Sequence, residues 1–284
     1  MARPHTLPLI DARGHDTPAA LLHSLRHTGF AVLQHHPLPQ SLIDALVERW
    51  QAFFLSTDKA AYTFDPARQD GWFGPDVSET AKGHQRKDLK EFFHVYPWGR
   101  CPAALRDDTL RYRDLAVALA GQLLGWVEQG LPDAVRAGLH SPLSAMVTDS
   151  DQTLLRILHY PPLRGDEPAD ALRAAAHEDI NLLTLLPAAS TPGLQVRGLD
   201  GHWLDVPCTP GSLVINTGDM LSEATGGWLP STTHRVLNPT GDAARQSRIS
   251  LPLFLHPRPD VRLSTRHTQA SYLLERLREL GLKA

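Results

Sequence analysis

The run His177-Glu178-Asp179 stands directly before an apolar stretch, residues 180–186. On an extended strand alternate side chains share a face. His177 and Asp179 would then point one way and Glu178 the other. An imidazole and a carboxylate side by side make two ligands for a divalent cation. A third is offered by His234, 55 residues beyond Asp179, in Pro-Ser-Thr-Thr-His-Arg-Val. Two histidines and one carboxylate on one side of a cation leave its other positions open, which suits Fe(II) and oxygen chemistry. The plainer reading of His-x-Asp is a histidine hydrogen-bonded to a neighbouring carboxylate. The chain has 15 histidines, so His202, His256 and His267 carry no weight singly.

Arg248 and Ser250 are also two apart, in Ser-Arg-Ile-Ser-Leu-Pro-Leu-Phe. A guanidinium beside a hydroxyl on one strand face suits a two-pronged grip on a carboxylate. A buried arginine needs an anionic partner. That partner is either an internal acid, with Asp242 and Asp219 as candidates, or a bound carboxylate. The presence of the upstream triad favours the bound carboxylate.

The elements that must position these groups change character along the chain. After a short strand in Thr-Leu-Pro-Leu-Ile, the first half reads as mostly helical. Ile43, Leu46, Val47, Trp50, Phe53 and Phe54 follow the spacing of a helix with one buried face. A second long helix is predicted over residues 102–130, and residues 65–100 read as irregular. Beyond residue 150 the pattern becomes short apolar runs between turn residues: Gln-Thr-Leu-Leu-Arg-Ile-Leu-His-Tyr, a strand continuing from His177 through residue 186, Gly-Leu-Gln-Val-Arg, His-Trp-Leu-Asp-Val, Gly-Ser-Leu-Val-Ile-Asn, His-Arg-Val-Leu-Asn and Arg-Ile-Ser-Leu-Pro-Leu-Phe. Asp200-Gly201 marks a tight hairpin. Many short strands argue for a barrel or sandwich. Leu273, Leu274, Leu277 and Leu280 return the chain to helix at its end. Asn216 and Asp219, at a strand end and a turn, read as structural.

Composition narrows the class. With 284 residues, 42% apolar and 21% charged, the chain is an ordinary globular protein with a sizeable core. A net charge of −3 offers no attraction for nucleic acid or anionic membrane. The N-terminus lacks the apolar segment of a signal peptide, and no run reaches a membrane span. Two distant cysteines, Cys101 and Cys208, predict no disulfide framework and a cytoplasmic setting.

His177-x-Asp179, His234 in Ser-Thr-Thr-His-Arg-Val, and Arg248-x-Ser250 together resemble the Fe(II)/2-oxoglutarate-dependent oxygenases. More narrowly they resemble the isopenicillin N synthase-like branch, which also holds plant flavonoid and hormone dioxygenases. The likeness extends over nearly the whole chain. Leu-Pro-Leu-Ile-Asp-Ala, Phe-Phe-Leu-Ser-Thr-Asp-Lys-Ala-Ala-Tyr and Lys-Asp-Leu-Lys-Glu-Phe-Phe are similar to the family's N-terminal segment. Arg-Ile-Leu-His-Tyr-Pro-Pro and residues 193–221 are similar to its central strands and Gly-Asp turn. There are two departures. Leu158 stands where the family often has an asparagine that helps hold the cosubstrate. His234 and Arg248 are 14 positions apart, more than in plant members, which predicts a longer hairpin over residues 238–247.

The resemblance implies a mainly β fold with flanking helices. A double-stranded β-helix (jelly roll) core would occupy residues 151–258. A mostly helical dioxygenase N-terminal-like region, residues 1–150, would pack on it, and residues 259–284 would form a C-terminal helix. It implies Fe(II) on His177, Asp179 and His234, with 2-oxoglutarate as cosubstrate and O2 as oxidant. The far carboxylate of 2-oxoglutarate would meet Arg248 and Ser250, with Tyr160 as a further donor. An intact Asp179 excludes the halogenase variant, leaving hydroxylation of a small molecule as the expected outcome, with succinate and CO2 released. Phe73 and Trp228 are candidates to line the substrate entrance, although core packing accounts for them equally well. An iron oxidase of the same fold that uses no 2-oxoglutarate is the alternative, with Arg248 and Ser250 binding a substrate carboxylate. A non-enzymatic binding module would not require all five residues. The expected working form is a monomer, with a dimer left open.

Overall fold

The computed structural model describes residues 7–77, 87–168, 171–189, 191–198 and 200–279. In chain order its elements are β1 (Leu9–Asp11), α1 (Thr17–Thr28), β2 (Phe30–Gln34), α2 (Gln40–Leu55), β3 (Gly71–Phe73), β4 (Glu91–Val95), α3 (Ala103–Gly130), α4 (Asp133–Ala137), α5 (Leu143–Val147), β5 (Leu154–Tyr160), β6 (Ala174–His177), β7 (Leu183–Pro187), β8 (Leu194–Arg197), β9 (Trp203–Asp205), β10 (Ser212–Thr217), α6 (Asp219–Ala224), β11 (His234–Val236), β12 (Arg248–Ser250), β13 (Leu253–Leu255) and α7 (Gln269–Glu279). Helix α2 buries Ile43, Leu46, Trp50, Phe53 and Phe54 of the predicted stripe and adds Leu42, while Val47 is only partly buried. Leu280, expected in the last helix, lies outside the described residues.

Two sheets face each other. The larger runs β1-β2-β10-β7-β13-β5-β4-β3, with β12 also paired to β5, and the smaller runs β6-β11-β8-β9. Strand alternation gives the larger sheet two unlike faces. Ala31, Leu33, Phe93, Leu155, Ile157, Leu185, Ile215 and Leu253 join the main core with helices α1 to α3. The opposite face looks toward the smaller sheet. There Phe30, Val32 and Val214 pack with Val196 and Val206, and Phe73, Phe92, Leu158 and Tyr160 form a separate cluster.

Three local expectations change. Residues 65–100 are not wholly irregular. Strands β3 and β4 lie there and extend the larger sheet through β5. Strand β4 reads Glu-Phe-Phe-His-Val and is buried at every position, so no alternation marks it. The stretch from His177 to residue 186 is two strands in different sheets. Strand β6 ends at His177, β7 begins at Leu183, and Asp179 lies in the crossing between them. Residues 238–247 likewise carry the chain from β11 in the smaller sheet to β12 in the larger, through a short 3-10 turn at Gly241–Arg245, and do not form a hairpin.

The N-terminal strands are tied in by a polar network inside the helix-side core. Glu91, 4% exposed, accepts hydrogen bonds from Lys59 Nζ, Trp72 Nε1 and His159 Nδ1, and His159 Nε2 reaches Ser247 Oγ. Burial opposes the Glu91 charge, but His159, Lys59 and Trp72 outweigh it and hold the carboxyl below its ordinary value of 4.5. Glu91→Gln is therefore expected to lose on the order of 3 kcal/mol at neutral pH, since one partner of a buried pair is removed. A lowered folded-state pKa stabilises above the unfolded value and is lost as pH falls through the folded one. The gap between wild type and variant should thus be constant near pH 7 and close below about pH 4.5. Urea unfolding across that range checks it, and a pH-independent gap would remove the ionised carboxylate from the explanation.

Candidate active site

His177 pairs in register with His234, the first residue of β11. That pairing sets the two imidazoles side by side, with centroids 4.4 Å apart. In each ring Nδ1 faces a main-chain carbonyl two residues back, Ala175 O at 2.7 Å and Thr232 O at 3.2 Å. A carbonyl only accepts, so Nδ1 carries the proton and Nε2 keeps its lone pair. Both Nε2 atoms approach Asp179 Oδ1, at 3.8 Å from His177 and 3.7 Å from His234. These separations are too long for hydrogen bonds and short enough for one cation to lie among the three atoms. Burial, and then the neighbouring His234, holds the His177 imidazole below its ordinary pKa, which keeps it in the neutral form that binds metal.

The second oxygen of Asp179 is already committed. Oδ2 accepts from Thr184 Oγ1 at 2.5 Å and Asn216 Nδ2 at 2.8 Å, and Thr184 Oγ1 in turn accepts from Asn181 Nδ2. Oδ1 is thereby left for the histidine side. Burial works against the charge on Asp179, yet His234, His177 and these two donors keep its carboxyl below the usual range. The backbone of the crossing is fixed separately: Asp219 N donates to Asp179 O at 2.7 Å and Gly218 N to Leu182 O at 3.0 Å. A Cβ on Gly218 would meet Asn181 O at 2.2 Å and Asp179 O at 2.8 Å, so only glycine lets these two turns touch. Glu178 turns outward, is exposed, and accepts from Thr233 Oγ1.

At β12, Arg248 sits opposite Tyr160 and Ser250 opposite Leu158. Arg248 and Ser250 are each 5% exposed and Tyr160 3%. Arg248 Nε approaches Ser250 Oγ at 3.4 Å, one terminal nitrogen approaches Thr191 O at 3.4 Å, and the guanidinium lies 5.6 Å from the Tyr160 ring centre. Asp242 is engaged by Arg245, and among the described residues no carboxylate forms an ion pair with Arg248. The internal salt bridge weighed from sequence is not made. Burial presses the guanidinium below its ordinary pKa, so the side chain is built for an anion that it does not find within the described fold.

The pairing of β7 with β10 connects the two places. Asn216 pairs with Thr184, the two residues that hold Asp179, and the next pair on the same face, two residues along, is Val214 with Leu186. Val214 and Leu186 line a narrow cleft with Thr191, Leu194, Cys208 and Arg248. Two residues along a strand is about 7 Å. The Asp179 anchor and the guanidinium therefore open on the same face of β7 and β10.

Phe73 also belongs to the intersheet face: it pairs with Phe92, which pairs with Leu158 opposite Ser250, and it stacks on Phe64 and Phe92. Trp228 is placed elsewhere, against the main core with Arg26 over its ring. Thr184 and Arg173, a buried arginine just before β6, were not singled out from sequence. Asn216 supports Asp179 directly, beyond the structural part expected of it. A polar amide inside Ser-Leu-Val-Ile-Asn-Thr was the available signal, since a buried amide needs partners.

Two family descriptions match the chain: the 2OG-Fe(II) oxygenase superfamily over residues 152–257, and the N-terminal segment of non-haem dioxygenases in morphine synthesis over residues 7–114. A Shewanella oneidensis oxygenase of known structure is 52% identical with a TM-score of 0.90, covering 98% of this chain and 100% of that one. A 2OG-Fe(II) oxygenase family protein from Caulobacter crescentus is 31% identical with a TM-score of 0.82, covering 96% and 99%. The proline hydroxylase buaE of Petromyces alliaceus is 31% identical over 272 residues, 85% of this chain and 82% of the relative. Fold, converging donor atoms and relatives agree: the chain belongs to the 2OG-Fe(II) oxygenase superfamily and is an iron- and 2-oxoglutarate-dependent oxidoreductase.

Proposed function

We propose that His177, Asp179 and His234 hold the Fe(II), that Arg248 and Ser250 hold the distal carboxylate of 2-oxoglutarate beside Tyr160, and that the enzyme hydroxylates a small organic molecule. The observation that carries this is the shared strand face. The residues fixing Asp179 and the cleft of the acid-free guanidinium are two residues apart along one face of β7 and β10, a spacing of about 7 Å that suits a five-carbon diacid held at both ends. Iron, when bound with 2-oxoglutarate and O2, supplies the oxidation of a substrate C–H bond with release of succinate and CO2.

The chain's own groups prepare that chemistry. Ala175 and Thr232 fix the tautomers that turn both Nε2 atoms inward. Thr184 and Asn216 set which carboxylate oxygen faces them. Val214, Leu186 and Leu194 give the cosubstrate cleft apolar walls, which strengthen a charge contact by excluding water. Phe73 and Phe92 supply an apolar flank for substrate. A hydroxylase relative acting on proline, by its name, and a net charge of −3 favour a small molecule over nucleic acid. The Tyr160-Pro161-Pro162 strand end and Arg248-x-Ser250 support the isopenicillin N synthase-like branch. Cys101 and Cys208, both free, support a cytoplasmic setting.

Anaerobically loaded protein given Fe(II), 2-oxoglutarate and O2 is expected to form succinate slowly, and faster with a fitting amino acid or related small molecule. The product should be heavier by one oxygen atom. A stimulating substrate whose product instead lacks two hydrogens would replace hydroxylation by desaturation or ring closure.

A further inference from the structure

A second buried arginine lies against Tyr160, the residue paired with Arg248. Arg173 is 1% exposed and directly precedes β6. Alternation puts Arg173, Ala175 and His177 on one face, the face that looks toward the larger sheet. Its guanidinium accordingly crosses the intersheet space and lies 5.7 Å from the Tyr160 ring centre, while Arg248 approaches the same ring from the other sheet at 5.6 Å. Two cations thus enter from opposite sheets and meet at one tyrosine.

The protein does little to balance them. Arg173 donates from one terminal nitrogen to Gln246 O at 3.2 Å, and its main-chain N is held by Asn238 Oδ1. Its Nε–H is buried and without a partner, and no carboxylate among the described residues pairs with it. Burial, and then the proximity of Arg248, pushes its guanidinium down to about 10. Two buried like charges repel, and a fold that keeps both gains when an anion lies between them. The long arginine is also held in place from its root, because Asn238 fixes its backbone while its side chain spans the interior.

We propose that Arg173 is a second cationic residue of the 2-oxoglutarate site, which with Arg248 forms a two-guanidinium cradle for the distal carboxylate around Tyr160. This rests on the cosubstrate reading of Arg248 given above and extends it to a residue of the opposite sheet. The cradle makes the distal carboxylate the point where the two sheets are joined through a ligand. It also stands in for the asparagine that Leu158 replaces, by adding a donor from another direction.

The test is equilibrium binding by calorimetry to full-length, metal-loaded protein without O2, using two ligands. These are 2-oxoglutarate and 2-oxovalerate, which keeps the keto acid and lacks the distal carboxylate. Arg173→Gln should weaken 2-oxoglutarate by about tenfold or more, the usual weight of one charge-assisted bond, and leave 2-oxovalerate unchanged. Arg173→Lys, which keeps the charge, should recover much of the loss and guards against a Gln variant that does not fold. Equal weakening of both ligands, or no weakening of either in a folded variant, overturns the cradle and leaves Arg173 as packing against Tyr160. Arg248→Gln is the parallel control. If it too leaves 2-oxoglutarate binding unchanged, the cosubstrate reading itself fails, whereas a loss there with no loss in Arg173→Gln rejects only the role of Arg173.

Discussion

Asp179→Ala is expected to abolish iron-dependent succinate formation while the protein stays folded. The loss should exceed the ~10–100-fold that removing a mere partner of a metal ligand costs, because a donor atom itself disappears and two facing imidazoles alone must retain the cation. Folding should survive because the crossing is held by its backbone: Asp219 N bonds Asp179 O whatever the side chain. The stability penalty is confined to the orphaned donors. Asn216 Nδ2 and Thr184 Oγ1 lose their acceptor, at about 1–3 kcal/mol for a buried group left unpaired. Removing a carboxylate that burial disfavours offsets part of that. Iron content after anaerobic loading, succinate release and thermal unfolding together decide the matter. A folded variant that kept one equivalent of iron and normal turnover would remove Asp179 from the metal centre.

The second large effect concerns Arg248. Arg248→Gln should raise the dissociation constant for 2-oxoglutarate by about a hundredfold, the product of losing a charge and a forked donor together, with iron content unchanged. Arg248→Lys should fall between, since an ammonium is a point charge and cannot present two parallel N–H groups. Stability should move the other way from ordinary core mutations. The guanidinium is buried with no described acidic partner and lies near Arg173, so replacing it by a neutral side chain should leave the ligand-free protein as stable as before or more so. A variant that lost stability yet bound 2-oxoglutarate normally would reassign Arg248 to structure. One that bound 2-oxoglutarate normally and lost substrate affinity would reassign it to a substrate carboxylate.

Much of the candidate site was legible because its proposed ligands come in pairs at short spacing. His177 with Asp179 and Arg248 with Ser250 can be read from two-residue alternation alone. The reason behind the first pair was different from the one expected. Asp179 faces the histidines although it has left the strand, because Gly218 and the amide of Asp219 draw the crossing against the start of α6. Long-range partners were the hard part. Nothing in Leu-Arg-Ala-Ala-Ala-His announces that Arg173 meets Tyr160 of another sheet, although its even spacing from His177 was there to be counted. Thr184 and Asn216 become visible as a pair only once β7 and β10 are aligned. The helices with a single apolar stripe were plain, whereas β3 and β4, short and buried or covered on both sides, offered no period to read.

The cluster of Phe30, Val32, Val196, Val206 and Val214 between the sheets acquires a further meaning from the proposed arrangement. Both histidines sit on the smaller sheet and Arg248 on the larger, so the cosubstrate is gripped by jaws that belong to different walls. Those apolar side chains are the shim that sets how far the jaws stand apart. Thickening or thinning that shim by a methyl group at Val32 or Val196, which do not line the cleft, would regauge the calliper, and the enzyme's choice between keto diacids of different chain length would shift without any cleft-lining residue having changed.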